Sequence, residues 1–307
     1  MLLSKNIILA FLAFLISYMI TPLTVPLCKL VGAIDMPDEK RKINDCPMPR
    51  MGGLAFFLAS LVILFPLSSR SDFVPALLCS GAILFAGGVA DDTFNLNATV
   101  KLLIQGAAAL IVITFIGIPS EFSFLGLFKI PLIGIAGFIF TLFRIIFTIN
   151  AVNFCDGLDG LASGLSVIAL LSLFFYGMAN KNEPEALCAL VLAAAVLGFL
   201  PYNKYHAKVF MGDCGSQFLG LAISVLSLGT APDASFSLET SLFLAVPTID
   251  TALSVTRRII KGKSPFTADK GHLHHVLLGL GIPHPQAVNL LVASSGLIAL
   301  ISLLFVY

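Results

Sequence analysis

Apolar residues along the chain fall into ten long stretches separated by short polar segments. The stretches cover approximately 6–28, 51–69, 73–90, 99–118, 131–149, 160–178, 185–201, 215–231, 238–256 and 286–306. Each approaches the length of about 20 residues that a helix needs to cross the roughly 30 Å hydrocarbon core of a bilayer. Continuous apolar runs with internal small residues favour packed helices over the alternating pattern of a β-barrel. The pattern predicts an all-α, polytopic membrane protein of about ten transmembrane helices, with residues 1–307 forming a single domain.

Composition supports this interpretation. The chain is 58% hydrophobic and 11% charged, whereas soluble domains contain about 25% charged residues. Its net charge of +1 gives no long-range attraction for nucleic acid, so we expect no nucleic-acid partner. The first stretch follows Lys5 and has no small-residue cleavage motif, so we interpret it as a retained helix rather than a signal peptide.

Basic residues indicate the orientation. If segments 29–50, 91–98, 150–159, 202–214 and 257–285 share one side of the membrane, most Lys and Arg residues lie on that side or at the adjoining helix ends. The opposite side keeps Lys5, Arg70, Lys129 and Lys181. By the positive-inside rule the first side is cytoplasmic and both termini lie outside. We therefore expect a protein of the cytoplasmic (inner) membrane whose polar motifs face the cytoplasm.

The six cysteines are predicted to be free thiols. They show no C-x-x-C spacing and lie within helices or on the reducing side of the membrane. They are Cys28, Cys46, Cys79, Cys155, Cys188 and Cys214.

The segment Asn150-Ala-Val-Asn-Phe-Cys-Asp-Gly-Leu-Asp-Gly places two carboxylates at the end of an apolar stretch. If the segment is helical, Asp156 and Asp159 lie on one face, where their repulsion calls for a cation, a proton or a substrate donor. The plain structural alternative is a polar turn in which Asp156 is the N-cap of the next helix.

A second polar segment holds the adjacent carboxylates Asp91 and Asp92, followed by Lys101. Two neighbouring carboxylates at the end of an apolar helix cannot both ionise cheaply without a counter-charge, which Lys101 could supply in part. They are therefore candidates for metal binding or proton transfer, although a loop that only ends the helix is the alternative. Arg50, beside flexible Gly52-Gly53 at another helix entrance, is a candidate for binding phosphate.

A third segment frames Asp213 with Gly212 and Gly215, which let backbone amides approach a ligand. The next helix is predicted to begin at about Ser216, and its N-terminus would favour phosphate oxygens. An ordinary glycine-rich helix start is the alternative.

A fourth segment contains three histidines, His272, His274 and His275, after the basic pair Arg257 and Arg258. Such a cluster indicates a site for a metal or an anionic substrate. Zinc is the rival metal, but scattered thiols and abundant carboxylates favour a hard cation such as Mg²⁺. His206 and His284 are interpreted as surface residues without an assigned role.

Together these motifs resemble a known family over nearly the whole chain. The order Pro-x-Pro-Arg-x-Gly-Gly, Asp-Asp, Asn-x-x-Asn-x-x-Asp-Gly-x-Asp-Gly-Leu-Ala, Phe-Met-Gly-Asp-x-Gly-Ser and His-x-His-His is similar to that of the polyprenyl-phosphate N-acetylhexosamine-1-phosphate transferases. The histidine motif resembles the WecA/TagO branch, which moves GlcNAc-1-phosphate from UDP-GlcNAc onto undecaprenyl phosphate. The sister branch acts on UDP-MurNAc-pentapeptide and carries His-His-His-Phe-Glu, whereas Val276 and Leu277 follow the histidines here.

The resemblance implies an Mg²⁺-dependent enzyme, with Mn²⁺ as a substitute, that begins synthesis of a cell-surface polysaccharide. Asp213 and Asn153 would hold the cation at the diphosphate of UDP-GlcNAc, and Asp91 and Asp92 would position or deprotonate the lipid phosphate. The remaining candidates would hold the nucleotide end or neutralise phosphate charge. They are Asp156, Asp159, Asn150, Arg50, Lys101, Arg257, Arg258, His272, His274 and His275.

Two other classes of protein remain as alternatives. An ion-coupled transporter also has buried carboxylates, but these gather near the bilayer midplane rather than at helix ends on one face. A structural membrane scaffold leaves the one-sided carboxylates unexplained. A homodimer is one option for the oligomeric state.

Overall fold

The computed structural model describes residues 2–36, 47–124, 127–231, 235–262, 264 and 271–305. The α-helices in these ranges are α1 (Leu2–Val31), α2 (Gly53–Leu64), α3 (Phe73–Phe94), α4 (Ala98–Ile116), α5 (Gly134–Phe154), α6 (Leu161–Ala179), α7 (Glu183–Asn203), α8 (Gly212–Gly229), α9 (Leu238–Leu242), α10 (Ala245–Ile260), α11 (Leu273–Gly279) and α12 (His284–Leu304). A 3₁₀ helix, Phe65–Arg70, continues α2. The short strands are β1 (Ile34–Asp35), β2 (Met48–Pro49), β3 (Glu121–Phe124), β4 (Phe128–Pro131) and β5 (Phe236–Ser237). The predicted all-α class is confirmed.

Eight helices in the described ranges are long and apolar enough to cross a membrane, which confirms a multi-pass membrane protein. They are α1, α2 with its 3₁₀ extension, α3, α4, α5, α6, α7 and α12. The other two predicted spans correspond to α8 and to the α9–α10 pair. α10 has 16 residues, a length of about 24 Å at 1.5 Å per residue. The count of ten spans therefore stays a prediction.

α8 is the central helix of the bundle. Every residue from Cys214 to Gly229 is buried, and the helix packs against α3 and α5. Glycines on the neighbouring helices allow this packing, because a Cβ on Gly88 would lie 2.3 Å from the Cα of Cys214 and one on Gly53 would lie 2.4 Å from the Cα of Gly215. The N-terminal turn of α8 thus touches the backbones of α2 and α3.

The helices alternate in direction, so the polar motifs collect at one end of the bundle. This site end contains the last turn of α3 and the first turns of α4 and α8. The opposite end, here called the hairpin end, contains the antiparallel strands β3 and β4, with β5 parallel to β3. The predicted grouping of the polar segments is confirmed for the described residues.

Several predictions fall on residues that the structure does not describe. Lys40, Arg41 and Lys42 lie there, as does Cys46, and so do residue 263 and residues 265–270 before the histidines. On either side of the first of these gaps, β1 and β2 form an antiparallel pair. The five cysteines in the described ranges are free thiols, as predicted.

Candidate active site

Lys101 joins carboxylates from two different helices. Its Nζ lies 2.5 Å from Oδ2 of Asp91 in the last turn of α3 and 2.9 Å from Oδ2 of Asp213 in the first turn of α8. The second oxygen of Asp91 accepts a hydrogen bond from the backbone N–H of Leu96 at 2.7 Å. The prediction that Lys101 supplies part of the counter-charge is confirmed for Asp91, whereas the basic side chain near Asp92 is Arg50. Asp91 and Asp92 lie inside α3, so the alternative of a loop that ends the helix is wrong.

Asp92 caps the N-terminus of α8. Its Oδ1 accepts from the backbone N–H of Asp213 at 2.9 Å, and its Oδ2 accepts from that of Cys214 at 3.1 Å. α8 therefore begins at Gly212, not at Ser216 as predicted, and these two amides are not open to a phosphate. With both oxygens on backbone donors, this buried carboxylate holds Asp213 in place next to Lys101.

Replacing Asp92 by Asn is expected to lower the free energy of unfolding by about 1–3 kcal/mol, because an amide has one acceptor oxygen for two buried N–H groups. A fall in the melting temperature of the detergent-purified protein would show this loss. Asp72→Asn is the matched control, since Asp72 lies at the N-cap of α3 without a side-chain capping bond and is exposed. Equal melting temperatures for both variants would refute the capping role.

Arg50 lies beside Asp92 at the entrance of α2. Its Nε is 3.9 Å from Oδ1 of Asp92, and its Nη1 is 3.6 Å from Oδ1 of Asp35. The adjoining backbone is fixed because Phe210 donates to the carbonyl of Pro49 and Gly52 donates to that of Phe210. Gly212, at φ +73°, would clash with the carbonyl of Arg50 if it carried a Cβ, so only glycine fits there.

A network of amide side chains continues from Asp213 into the bundle. Gln217 donates to Oδ2 of Asp213 at 3.0 Å and accepts from Gln105 at 3.1 Å. Asn150 donates to Oε1 of Gln105 at 2.8 Å. Asn153, one turn further along α5, donates to the hydroxyl of Ser216 at 2.8 Å. Sequence reasoning missed Gln105 and Gln217; the signal for both was a buried amide in an otherwise apolar helix.

A cleft of about 180 Å³ lies beside this network, between α4 and α5. Lys101, Gln105, Asn150 and Asn153 form its polar lining, and Leu102 contributes to the apolar part. The cleft therefore combines a basic head and amide groups with an apolar wall at the site end.

Asp156 and Asp159 lie in a turn at 155–160, so the condition that would place them on one face of a helix is not met and the alternative of a polar turn holds for this segment. Asp156 does not cap α6, however, because the N-cap of that helix is Gly160. Burial, reinforced by the nearby carboxylates Asp213 and Asp92, raises the pKa of Asp156 to about 8. Burial favours the protonated form of this carboxyl group, and the two neighbouring carboxylates add to that effect.

Asp159 has different partners from Asp156. Its Oδ2 accepts from the backbone N–H of Ala207 at 2.9 Å, and its own N–H donates to Nε2 of His284 at 3.2 Å. His284 is thus half-buried and bonded, not a plain surface residue as predicted, whereas His206 is exposed. Asp159 links the 155–160 turn to the loop before α8 and to α12, and its predicted catalytic role stays a prediction.

The histidine motif is anchored on α10. Nδ1 of His272 lies 2.8 Å from Oδ2 of Asp250, and its Nε2 lies 3.1 Å from Nη2 of Arg258. The guanidinium of Arg258 in turn lies over the ring of Phe154, 5.6 Å from its centroid. Sequence reasoning left Asp250 out of the site, although a lone carboxylate in an apolar helix was a usable signal.

His274 and His275 follow in α11. His274 is buried against Gly157, and burial together with the neighbouring His275 and His272 lowers its pKa to about 4. It is therefore a neutral ring at pH 7. His275 and Arg257 are half-buried. Asn150 and Asn153 belong to the polar network beside Asp213, whereas Phe154 contacts the ring of His272 and Gly157 lies against that of His274. Segment 150–157 therefore connects the carboxylate site with the histidine motif.

The fold and this one-ended polar site define a multi-pass membrane protein with a carboxylate-rich centre at a helix-bundle end. The model of the family described as glycosyl transferase family 4 matches residues 74–231, about half of the chain and the part that contains Asp91, Asp92, Lys101 and Asp213. The chain belongs to this family.

Curated relatives are similar over most of their length. The chain is 38% identical to a protein of Bacillus subtilis named "Probable undecaprenyl-phosphate N-acetylglucosaminyl 1-phosphate transferase", covering 92% of this chain and 80% of the relative. It is 36% identical to the "Decaprenyl-phosphate N-acetylglucosaminephosphotransferase" of Mycolicibacterium smegmatis, covering 94% and 79%. It is 30% identical to the "Undecaprenyl-phosphate alpha-N-acetylglucosaminyl 1-phosphate transferase" of Escherichia coli, covering 91% and 78%.

The donor chemistry of the site suits a hard cation. Mg²⁺ commonly binds through one or two carboxylates together with substrate phosphates and water. Asp213 offers a carboxylate, and Asn153 uses Nδ2 as its donor to Ser216, which leaves its amide oxygen as a ligand. Among the described residues, no group of three or more Asp, Glu, His or Cys side chains is arranged to hold a metal.

Proposed function

We propose that this protein transfers GlcNAc-1-phosphate from UDP-GlcNAc to undecaprenyl phosphate at the cytoplasmic face of the membrane. The products would be UMP and undecaprenyl-diphospho-GlcNAc, a first intermediate of cell-surface polysaccharide synthesis. The observation that carries the proposal is the meeting of Asp91, Lys101 and Asp213 at one end of a membrane bundle. The printed names of the relatives supply the substrate class.

The reaction would join a phosphate oxygen of the lipid to the β-phosphorus of UDP-GlcNAc. The bond between that phosphorus and the bridging oxygen would break, and UMP would leave with the bond's electron pair. Charge on the phosphate oxygens needs compensation in such transfers. Lys101 and Arg50, the basic side chains in contact with the site carboxylates, are proposed for this role, and the cleft between α4 and α5 is the proposed place for the lipid phosphate.

The proposed cofactor is Mg²⁺, with Mn²⁺ as a substitute, held by Asp213 and Asn153. When bound, it would neutralise the charge of the diphosphate and of the attacking lipid phosphate. Asp92 would keep Asp213 in position through the α8 amides. Asp91 would position or deprotonate the lipid phosphate through Oδ2, while its Oδ1 accepts the hydrogen bond from the backbone N–H of Leu96.

Release of UMP tests this proposal. Purified protein is mixed with UDP-GlcNAc, undecaprenyl phosphate and Mg²⁺, and UMP is measured against a reaction without the lipid. We expect UMP only when both substrates are present. Uptake of a solute into vesicles without UMP release would favour the transporter alternative, against which the grouping of the site carboxylates at helix ends already argues.

The orientation of the protein in the membrane can be tested at the two ends of α7. Lys181 and Lys204 flank this 21-residue helix and are both exposed, so each can be replaced by Cys in a cysteine-free background. Because the basic residues gather at the site end, we expect an impermeant maleimide added outside to label position 181 and not position 204. The reverse pattern in intact cells would contradict a cytoplasmic site.

Substrate choice yields a second prediction. We expect turnover with UDP-GlcNAc and none with UDP-MurNAc-pentapeptide, because Val276 and Leu277 stand where the sister branch carries Phe-Glu. Both nucleotides are assayed for UMP release under the same conditions. Comparable rates would place the chain in the other branch and overturn the sugar assignment.

A further inference from the structure

A polar stripe on α10 surrounds the ring of His272. Asp250, Ser254 and Arg258 are spaced four residues apart, so they lie on one face of the helix. All three are buried, as is His272 itself. Nδ1 of His272 contacts Oδ2 of Asp250 at 2.8 Å and the hydroxyl of Ser254 at 3.3 Å.

The donors and acceptors around the ring determine which nitrogen of His272 carries the proton. Arg258 has only donors, so Nε2 of His272, at 3.1 Å from Nη2, must be an acceptor. The proton of the neutral ring is then on Nδ1 and is donated to Asp250. The other oxygen of Asp250 accepts from the backbone N–H of Leu273 at 2.8 Å, which fixes the start of α11.

We propose that Asp250 is a positioning residue that holds His272 in the Nδ1–H form and thereby fixes Arg258 against Phe154 at the end of α5. Its effect on turnover rests on the proposed function. In this proposal Asp250 acts through His272 and Arg258 on the geometry of segment 150–157, which carries Asn153 and the Phe154 ring under Arg258. A displacement of about 1 Å in a catalytic site can reduce the rate about a hundredfold.

Asp250→Asn separates this role from simple packing. The two donors bind different oxygens of Asp250, and Asn places an NH2 donor at one of these positions, so one bond is lost or the ring proton moves to Nε2, opposite the Arg258 donors. We expect kcat to fall about tenfold to a hundredfold, with the KM for UDP-GlcNAc changed less than about threefold. Asp250→Glu keeps two acceptor oxygens and should restore part of kcat.

Thr251→Val is the matched control. Thr251 neighbours Asp250, is equally buried, and its hydroxyl has no hydrogen-bond partner among the described residues. This variant should keep the kcat of the unaltered protein. A purely structural role of Asp250 would instead lower the folded fraction while leaving kcat per folded molecule unchanged.

The ring proton can be observed directly, without relying on activity. The chain has five histidines, so ¹⁵N-histidine NMR of the purified protein gives few signals, which single His→Gln variants assign. We expect the Nδ1–H tautomer for His272 in the unaltered protein and its loss in Asp250→Asn. An Nε2–H tautomer in the unaltered protein, or a kcat within twofold of normal for Asp250→Asn, would overturn the proposal. Absence of transferase activity in the unaltered protein would instead refute the proposed function and leave the tautomer result decisive.

Discussion

Asp213→Asn is expected to reduce transferase activity by about a hundredfold to a thousandfold or more. The amide keeps the shape of the side chain and can still accept from Lys101 and Gln217, which lie 2.9 and 3.0 Å from Oδ2. It removes the negative charge that we propose holds Mg²⁺ at the diphosphate. Such charge stabilisation is worth several kcal/mol, and about 1.4 kcal/mol corresponds to a tenfold change in rate.

The measurement is the rate of UMP release as a function of Mg²⁺ concentration for Asp213→Asn and for the unaltered protein. Glu183→Gln is the matched control, because Glu183 is also a carboxylate in the first turn of a helix, at the hairpin end. We expect this control to be fully active and the Asp213 variant to remain folded. Near-normal turnover of the Asp213 variant at ordinary Mg²⁺ would end its assignment as the metal anchor.

Lys101→Met is expected to reduce the rate about a hundredfold. The variant removes the ammonium group between Oδ2 of Asp91 and Oδ2 of Asp213, so the two carboxylates lose the counter-charge that they share. Truncating one partner of a largely buried, hydrogen-bonded charge group costs about 2–5 kcal/mol, and the partial exposure of Lys101 places the effect at the lower end. Lys101→Arg keeps the charge and should recover part of the rate.

Lys129→Met provides the comparison for this substitution. Lys129 also has a carboxylate partner, Glu121, at 2.5 Å, but it is exposed and lies at the hairpin end. An exposed pair contributes little, so UMP release should be unchanged in this variant. If Lys101→Met retained at least a third of normal activity, the account of Lys101 as the shared counter-charge would be wrong.

Local signals made half of the carboxylate cluster predictable. Asp91, Asp92 and Lys101 are close in sequence, and the cost of two adjacent carboxylates at an apolar helix end already called for a nearby cation. The pairing of Lys101 with Asp213 could not be predicted, because the two are 112 residues apart. It depends on Gly53 and Gly88, which let α8 approach α2 and α3 at backbone distance.

The start of α8 shows why phosphate binding by its first backbone amides was wrongly predicted. From sequence, Gly212 and Gly215 suggested open amides for a phosphate, because nothing local marked a cap. In the structure the side chain of Asp92, which lies on α3, accepts hydrogen bonds from the backbone N–H groups of Asp213 and Cys214. A cap provided by another helix has no signature near the helix that it caps.

The sequence indicated that the histidine motif forms a site, but the residues of α10 that contact His272 were not predicted as a group. The repeat of Asp250, Ser254 and Arg258 at four-residue intervals in an apolar stretch was visible in the sequence and indicates a polar face. That this face contacts His272 follows only from the fold, since Asp250 and His272 are 22 residues apart in sequence. For Asp156 and Asp159 the alternative of a polar turn was right, but its N-cap was not, because Gly160 at φ +77° precedes α6 in the place assigned to Asp156.

The fate of the two phosphorus atoms of UDP-GlcNAc tests the central claim most directly. UDP-GlcNAc labelled with ³²P at the β-phosphorus is compared with the same molecule labelled at the α-phosphorus, each incubated with purified protein, undecaprenyl phosphate and Mg²⁺. Transfer of a sugar phosphate predicts that the β-label enters the lipid product and that the α-label is released as UMP. Recovery of both labels in UDP, with an unlabelled glycolipid, would show transfer of the sugar alone and contradict the proposed reaction.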